Sequence, residues 1–336
     1  RLRENLDKVP DGRWLSLFNV RFVITDKVRD AWFDGVFYDL QMGAHLGLDD
    51  GADVGAVPAF PATALGVVYR EAGAPQGVPL AELTVTLADD RHLTLTLRTD
   101  GTAGAEEDRV ARLTWQDVGT PTAISVRGLW PDGEVWVRGL SLIDERTGTF
   151  QSLVLSDNGR YRLVHSGDVK IYENLDVRPR ATFVPQAVVV PDDQAALDAM
   201  RAPDFDPATT VMLVGNVGEL GMRLGGDQAA VASSAEARVA LYEPERVIVE
   251  VTAPADGWLL LSDAWYPGWQ ARVDDHPVPI ERADILFRAV AVPQGTHRVE
   301  WTYRPAAFRL GMGVSIVAGG AWVVVGLWLA RQSFTA

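Results

Sequence analysis

One run of residues limits what this chain can be. From Leu310 to Ala330 it reads LGMGVSIVAGGAWVVVGLWLA, 21 residues without a charge. As an α-helix that run is roughly 31 Å long, the hydrocarbon thickness of a bilayer. A core helix of that length ordinarily carries polar residues along one face, and here only Ser315 interrupts the apolar text. Arg304 and Arg309 precede the run and Arg331 follows it, a split too even to orient it. The sequence therefore predicts a transmembrane helix over 308–331, with the lipid bilayer as its first partner.

Composition excludes several classes of function. Acidic residues outnumber basic ones 45 to 31, giving a net charge of −14. No basic block occurs, so a nucleic-acid partner is not expected. The absence of cysteine removes disulfides, thiolate metal sites and cysteine nucleophiles. With 336 residues the chain can hold two or three domains. It opens RLRENLDKVPDGRW, without an initiator Met or the apolar core of a signal peptide, so further transmembrane segments are expected upstream.

The rest reads as mainly β. Residues 1–60 form an N-terminal α+β segment: a short helix, the alternating stretch around Val20, Phe22 and Ile24, and a strand pair in DAWFDGVFYDLQ. Residues 61–170 are a succession of short strands with turn signals about every ten residues. Leu83, Val85 and Leu87 alternate with threonines, Asp89-Asp90 turns the chain, and Leu93, Leu95 and Leu97 alternate again. A jelly-roll-like β-sandwich is the expectation. Residues 171–236 are an α/β connector that could pack with 15–45; in it PDDQAALDAMR reads as a helix capped by Asp192 or Asp193. Residues 237–305 give a second, small antiparallel sandwich of immunoglobulin-like size, which leads directly into the anchor.

No catalytic residue, cofactor site or metal site can be named. His45, His92, His165, His276 and His297 are scattered without ligand spacing. Asp49-Asp50, Asp89-Asp90, Asp192-Asp193 and Asp274-Asp275 sit at turns or a helix start, where adjacent carboxylates point apart and suit turn chemistry better than acid–base catalysis. Gly215, Gly218 and Gly221 match neither phosphate-loop spacing. The densest aromatic stretch is SDAWYPGW. Asp263, Trp265, Tyr266 and Trp269 could stack on a sugar ring and bind its hydroxyls, or fill a sandwich corner around a Pro267-Gly268 turn, core being the commoner fate. Trp130 carries the same two readings, as do Trp115 and Trp136. Within the anchor, Gly311, Ser315 and Gly319 are four apart and share one face, which would let another transmembrane helix, from upstream or from a partner subunit, pack closely.

Three stretches carry a resemblance. LSDAWYPGWQARVDDHPVPIERADILFRAVAVPQGTHRVEWTYRPAAFRLGMGVS resembles the segment that leads into the last helix of YfhO-type bacterial polytopic membrane proteins. LFNVRFVIT and IYENLDVRPRATFV resemble two earlier motifs of the same family, in the same order. Residues 65–165 carry no family motif. Asp274-Asp275 stands where the family often has Asp-Gly, a departure confined to a turn. The resemblance implies a relation to GT-C-type glycosyltransferases, which use a lipid-linked sugar at the outer membrane face; some members of the family are implicated in glycosylating cell-envelope polymers. It also implies a bacterial cytoplasmic membrane location with the bulk of the chain extracytoplasmic, where cell-envelope glycan is a candidate partner. Catalytic acids would lie in an early loop of a membrane bundle outside this chain, so none is carried over. The expected role is to support or present a glycan acceptor; a non-catalytic, membrane-anchored sandwich subunit of a larger complex is the alternative.

Overall fold

A computed structural model describes residues 11–27, 29–99, 107–215 and 235–333. The chain divides into two compact units, Arg1–Arg178 and Pro179–Ala336. Both are built mainly from antiparallel strands, and an apolar helix, Ala306–Ser333, closes the second. The stretch containing Gly218 and Gly221 lies outside the described residues.

In the first unit two antiparallel sheets share one apolar core. A four-stranded sheet runs in the order Gly51–Asp53, Pro121–Gly128, Pro79–Leu87, His92–Arg98. The facing sheet runs Thr149–Leu153, Val135–Asp144, Ala62–Glu71, Arg109–Gly119, with Ala44–Leu46 also paired to Val135–Asp144. The expected hairpin forms, with Leu83 opposite Leu95 and Val85 opposite Leu93. Its alternation has a simple cause: Leu83, Val85 and Leu87 enter the core while the intervening threonines face outward. Strand Ala62–Glu71 does not alternate, because both its faces are covered. On one side lies the main core; on the other Val36, Tyr38 and Leu40 pack against Ala64, Val68 and Ile143. Gly66 permits this second layer, since a Cβ there would collide with the Tyr38 hydroxyl.

The covering hairpin, Asp30–Phe33 with Val36–Asp39, turns through Asp34 and Gly35, both at positive φ. That is the backbone a two-residue hairpin requires. A three-stranded sheet completes the unit, with Val169–Asn174 between Phe22–Asp26 and Tyr161–Ser166. Helix Gly12–Leu17, capped by the Asp11 side chain, places Leu15 beside the cluster of Met42, Tyr161 and Tyr172.

The second unit has a six-stranded sheet in the order Ala181–Val184, Gly257–Leu261, Phe287–Val292, Glu281–Ala283, Thr210–Val214, Gln186–Val190. Its last two strands are parallel and are joined through helix Asp193–Arg201. The Asp192 side chain caps that helix by accepting from the Ala195 N–H at 2.9 Å, as its sequence predicts. A five-stranded antiparallel sheet, Glu236–Glu243, Arg246–Ala253, Gly295–Tyr303, Trp269–Val273, His276–Val278, packs on the first through Val249, Leu259, Val290, Val299 and Trp301. The six-stranded sheet thus draws strands from 181–214 as well as from 257–292. Asp274 and Asp275, both at positive φ, make the two-residue turn between Trp269–Val273 and His276–Val278. Aspartate is among the non-glycine residues that tolerate that conformation best.

The C-terminal helix is long and apolar enough to cross a membrane, and its described side chains are exposed. The Ser315 hydroxyl donates to the Gly311 carbonyl at 2.9 Å, so this polar group is satisfied within the helix itself. Nothing lies within 4 Å of a Cβ built at Gly311 or Gly319, leaving that face open.

Candidate functional site

The aromatic stretch SDAWYPGW forms the loop between strands Gly257–Leu261 and Trp269–Val273. Pro267-Gly268 makes the turn, with Gly268 at φ +109°. The structure corrects the core reading for two of its rings: Trp265 is 39% and Tyr266 60% exposed. The reason is positional. Residues Ala264–Pro267 lie beyond the strand end, where the chain leaves the sandwich before it re-enters at Trp269. Trp269 is half-buried and packs on the second unit's core. Together Trp265 to Arg272 and Pro277 to Ile280 line a cleft of about 510 Å³.

Asp263 anchors this loop. Its carboxylate accepts from Arg180 Nη1 at 2.6 Å, Arg288 Nη2 at 2.9 Å and the Tyr242 hydroxyl at 3.2 Å. The Arg288 guanidinium is buried and stands 3.8 Å from the Trp269 ring centroid, a cation–π stack. Burial pushes the Arg288 pKa down, while the Asp263 charge opposes that shift. Burial pushes the Tyr242 hydroxyl up, and Asp263 adds to it. One carboxylate therefore ties two strands, and the residue that leads into a third, to the loop, with three of its acceptor positions in use. Asp263 thus positions the loop that carries the rings, through partners that its neighbours in sequence give no hint of.

Trp130 has a different setting. It belongs to the first unit, is 6% exposed and fills the main core there, so it cannot offer a face to a sugar. Trp115 also packs against that core. Trp136 has a third fate: it stacks on His45 at 4.7 Å and lies 4.5 Å below the Arg138 guanidinium and 5.5 Å from that of Arg70. Both arginines bind Asp108, at 2.5 and 2.6 Å. Burial raises the Asp108 pKa, but the hydrogen bonds from Arg70 and Arg138 outweigh it and hold the carboxyl below its ordinary value.

Sequence reading missed a fully buried cation in the first unit. Lys170 is wholly enclosed, with Nζ 2.7 Å from Asp39 Oδ1 and ion-paired also to Asp30. The Tyr172 hydroxyl donates to Asp39 Oδ2 at 2.6 Å, and the Gln41 N–H donates to Oδ1 at 3.0 Å. Among the described residues no group of three or more His, Asp or Glu side chains converges as metal ligands would. The acidic pairs do turn and cap work: Asp49 and Asp90 adopt positive φ, like Asp274 and Asp275, and Asp192 is the helix cap.

Among the described residues the chain is mainly antiparallel β-sheet and carries one helix long and apolar enough to cross a membrane. Over residues 228–315 it is YfhO-like: the family described as bacterial membrane protein YfhO matches that segment, which contains the aromatic loop, the cleft and the entry to the helix. No curated protein matches the chain. Among solved structures it is similar to the mycobacterial arabinofuranosyltransferase AftD, at 12% identity and a TM-score of 0.20 over 71% of this chain and 20% of that one. A mutant of the same enzyme matches at 12% identity and 0.19 over 89% and 25%. A cycloisomaltooligosaccharide glucanotransferase from Paenibacillus sp. matches at 10% identity and 0.14 over 83% and 44%. The chain spans a fifth to a quarter of the length of the AftD structures, and TM-scores this low establish no common fold.

Proposed function

We propose that this chain is the extracytoplasmic C-terminal region of a membrane-embedded, GT-C-like glycosyltransferase of the bacterial cell envelope, and that it supports or presents a glycan acceptor to a catalytic core outside the chain. The observation that carries the reading is the YfhO family match over 228–315, which runs from the second unit's sheets through the aromatic cleft into the apolar helix. The exposed rings of Trp265 and Tyr266 suit sugar C–H faces, with Trp269 held behind them by Arg288. The open Gly311/Ser315/Gly319 face suits packing against helices of a bundle.

Two measurements test it. The parental reading frame is expected to encode about ten or more hydrophobic spans ahead of Arg1; a start codon or cleaved leader immediately before Arg1 favours the alternative, a membrane-anchored structural subunit. The full chain in nanodiscs is expected to bind cell-envelope polysaccharide fragments, and Tyr266→Ala to weaken binding with unchanged urea unfolding. Failure of the unsubstituted chain to bind such fragments sinks the acceptor role.

A further inference from the structure

The aromatic loop stands beside the point where the chain becomes the apolar helix, and that juxtaposition carries a conclusion the glycan reading does not contain. Tyr266 lies 6.2 Å and Trp269 5.4 Å from Tyr303, ring to ring. Tyr303 ends the strand Gly295–Tyr303, and the helix begins at Ala306. The connection between them is clamped to the loop. The Arg304 N–H donates to the Gly268 carbonyl at 2.7 Å, and a Cβ at Gly268 would stand 3.0 Å from Tyr303 and 3.1 Å from Pro305. The depth of the loop is therefore set by the depth of the helix start. Leu286, 51% exposed, is joined to the same place, because its carbonyl accepts from the Trp265 N–H at 2.5 Å. Phe308, on the first helical turn, is also exposed.

If the uncharged run from Leu310 onward occupies the hydrocarbon, the residues just before it occupy the headgroup zone. That zone is about 5–8 Å thick on each side, the difference between a bilayer's full and hydrocarbon thickness. Four residues of helix, Ala306 to Arg309, cover about 6 Å of it. Trp and Tyr favour this layer because each combines an apolar ring with a polar tip. We propose that Trp265, Tyr266 and Leu286, with Phe308, form a collar that inserts into the phospholipid headgroup zone of the bilayer that the C-terminal helix spans. The collar stops the sandwich from tilting about its single visible connection to the membrane. It does not depend on glycan binding; the cleft bordered by these rings remains open to an acceptor lying at the membrane surface.

The lack of cysteine makes the test direct, since one introduced thiol is unique. The full chain carrying Tyr266→Cys is spin-labelled in vesicles of phosphatidylcholine and phosphatidylglycerol, and relaxation by oxygen is compared with relaxation by a water-soluble nickel chelate. Thr296→Cys is the control: it is exposed near the far end of the strand that ends at Tyr303, roughly 23 Å away along an extended chain. The label at 266 is expected to favour oxygen several-fold over the chelate, and the label at 296 to show the reverse. Leu286→Cys supplies the same readout should the 266 variant fail to fold. A label at 266, or at 286 in that case, as open to the nickel chelate as the one at 296 overturns the proposal.

Discussion

The two units each bury a cation against carboxylate, and they do so for different ends. In the first, Lys170 is enclosed on all sides and held by Asp39 and Asp30 from the covering hairpin, with Tyr172 completing the hydrogen bonds of Asp39. The group joins the three-stranded sheet to that hairpin and meets solvent only through Asp30, which also lies 3.7 Å from the exposed Lys27. In the second, the buried cation Arg288 meets Asp263 at the edge formed by the strand ends, where Arg180 is 40% exposed and the loop beyond carries exposed rings. A fully enclosed ionic group acts as a strut between layers, whereas one at an edge holds a loop in a chosen pose. Desolvation sets the energy scale of each: the deeper group has more to lose when one partner is removed.

The largest expected effect is that of Lys170→Met. It leaves Asp39 without its cation in a dry site, while Asp30 keeps Lys27, and urea unfolding should show a loss of about 3–5 kcal/mol. A loss below about 1 kcal/mol, the range of a surface pair, would erase the distinction between strut and edge. Asp263→Asn should cost less, on the order of 2–3 kcal/mol, because Arg288 keeps the Trp269 ring and solvent reaches Arg180. Its second sign should be a blue- or red-shifted loop tryptophan emission as Trp265 and Trp269 lose their setting. An unfolding loss equal to that of Lys170→Met would mean that the edge cluster is as enclosed as the inner one.

The smallest effect is a loss of stability at alkaline pH, and the first unit has three raised tyrosines to the second unit's Tyr242 among the described residues. Burial pushes the Tyr161 hydroxyl up to about 12 and raises Tyr172 and Tyr38 in the same direction, all in the first unit. A raised phenol favours the protonated, folded form, so its contribution is complete below the unfolded value near 10. It is lost as pH rises from there through about 12. Stability of the first unit should therefore fall across that alkaline range, and Tyr161→Phe should make the fall shallower. An unchanged slope in urea titrations at several alkaline pH values would show that Tyr161 plays no part in it.

What could be read from sequence was what local chemistry decides. Alternation at Leu83, Val85 and Leu87 produced the predicted hairpin because the period of a strand is two and one face is buried. Asp192 capped its helix because a side-chain oxygen three residues before a free N–H satisfies it wherever the helix lies. The rings of Trp130 and Trp265 could not be told apart in the same way. Both are tryptophans in apolar text, and only the packing of other strands places one inside and the other out. Asp39 and Lys170 are 131 residues apart, so no spacing could announce their pairing. The same holds for Asp263, whose partners come from positions 180, 242 and 288.

The sequence by itself determined the apolar helix, the predominance of antiparallel strands, the turns built on aspartate and the YfhO-like character of the C-terminal stretch. These rest on composition and short-range periodicity, which a chain carries whatever its fold. Only the tertiary structure decided which tryptophans are core, which carboxylates are spoken for, and that the exposed aromatic loop lies against the root of the helix. Those depend on residues far apart in the chain being desolvated together, and burial is a property of the assembled layers rather than of any one strand.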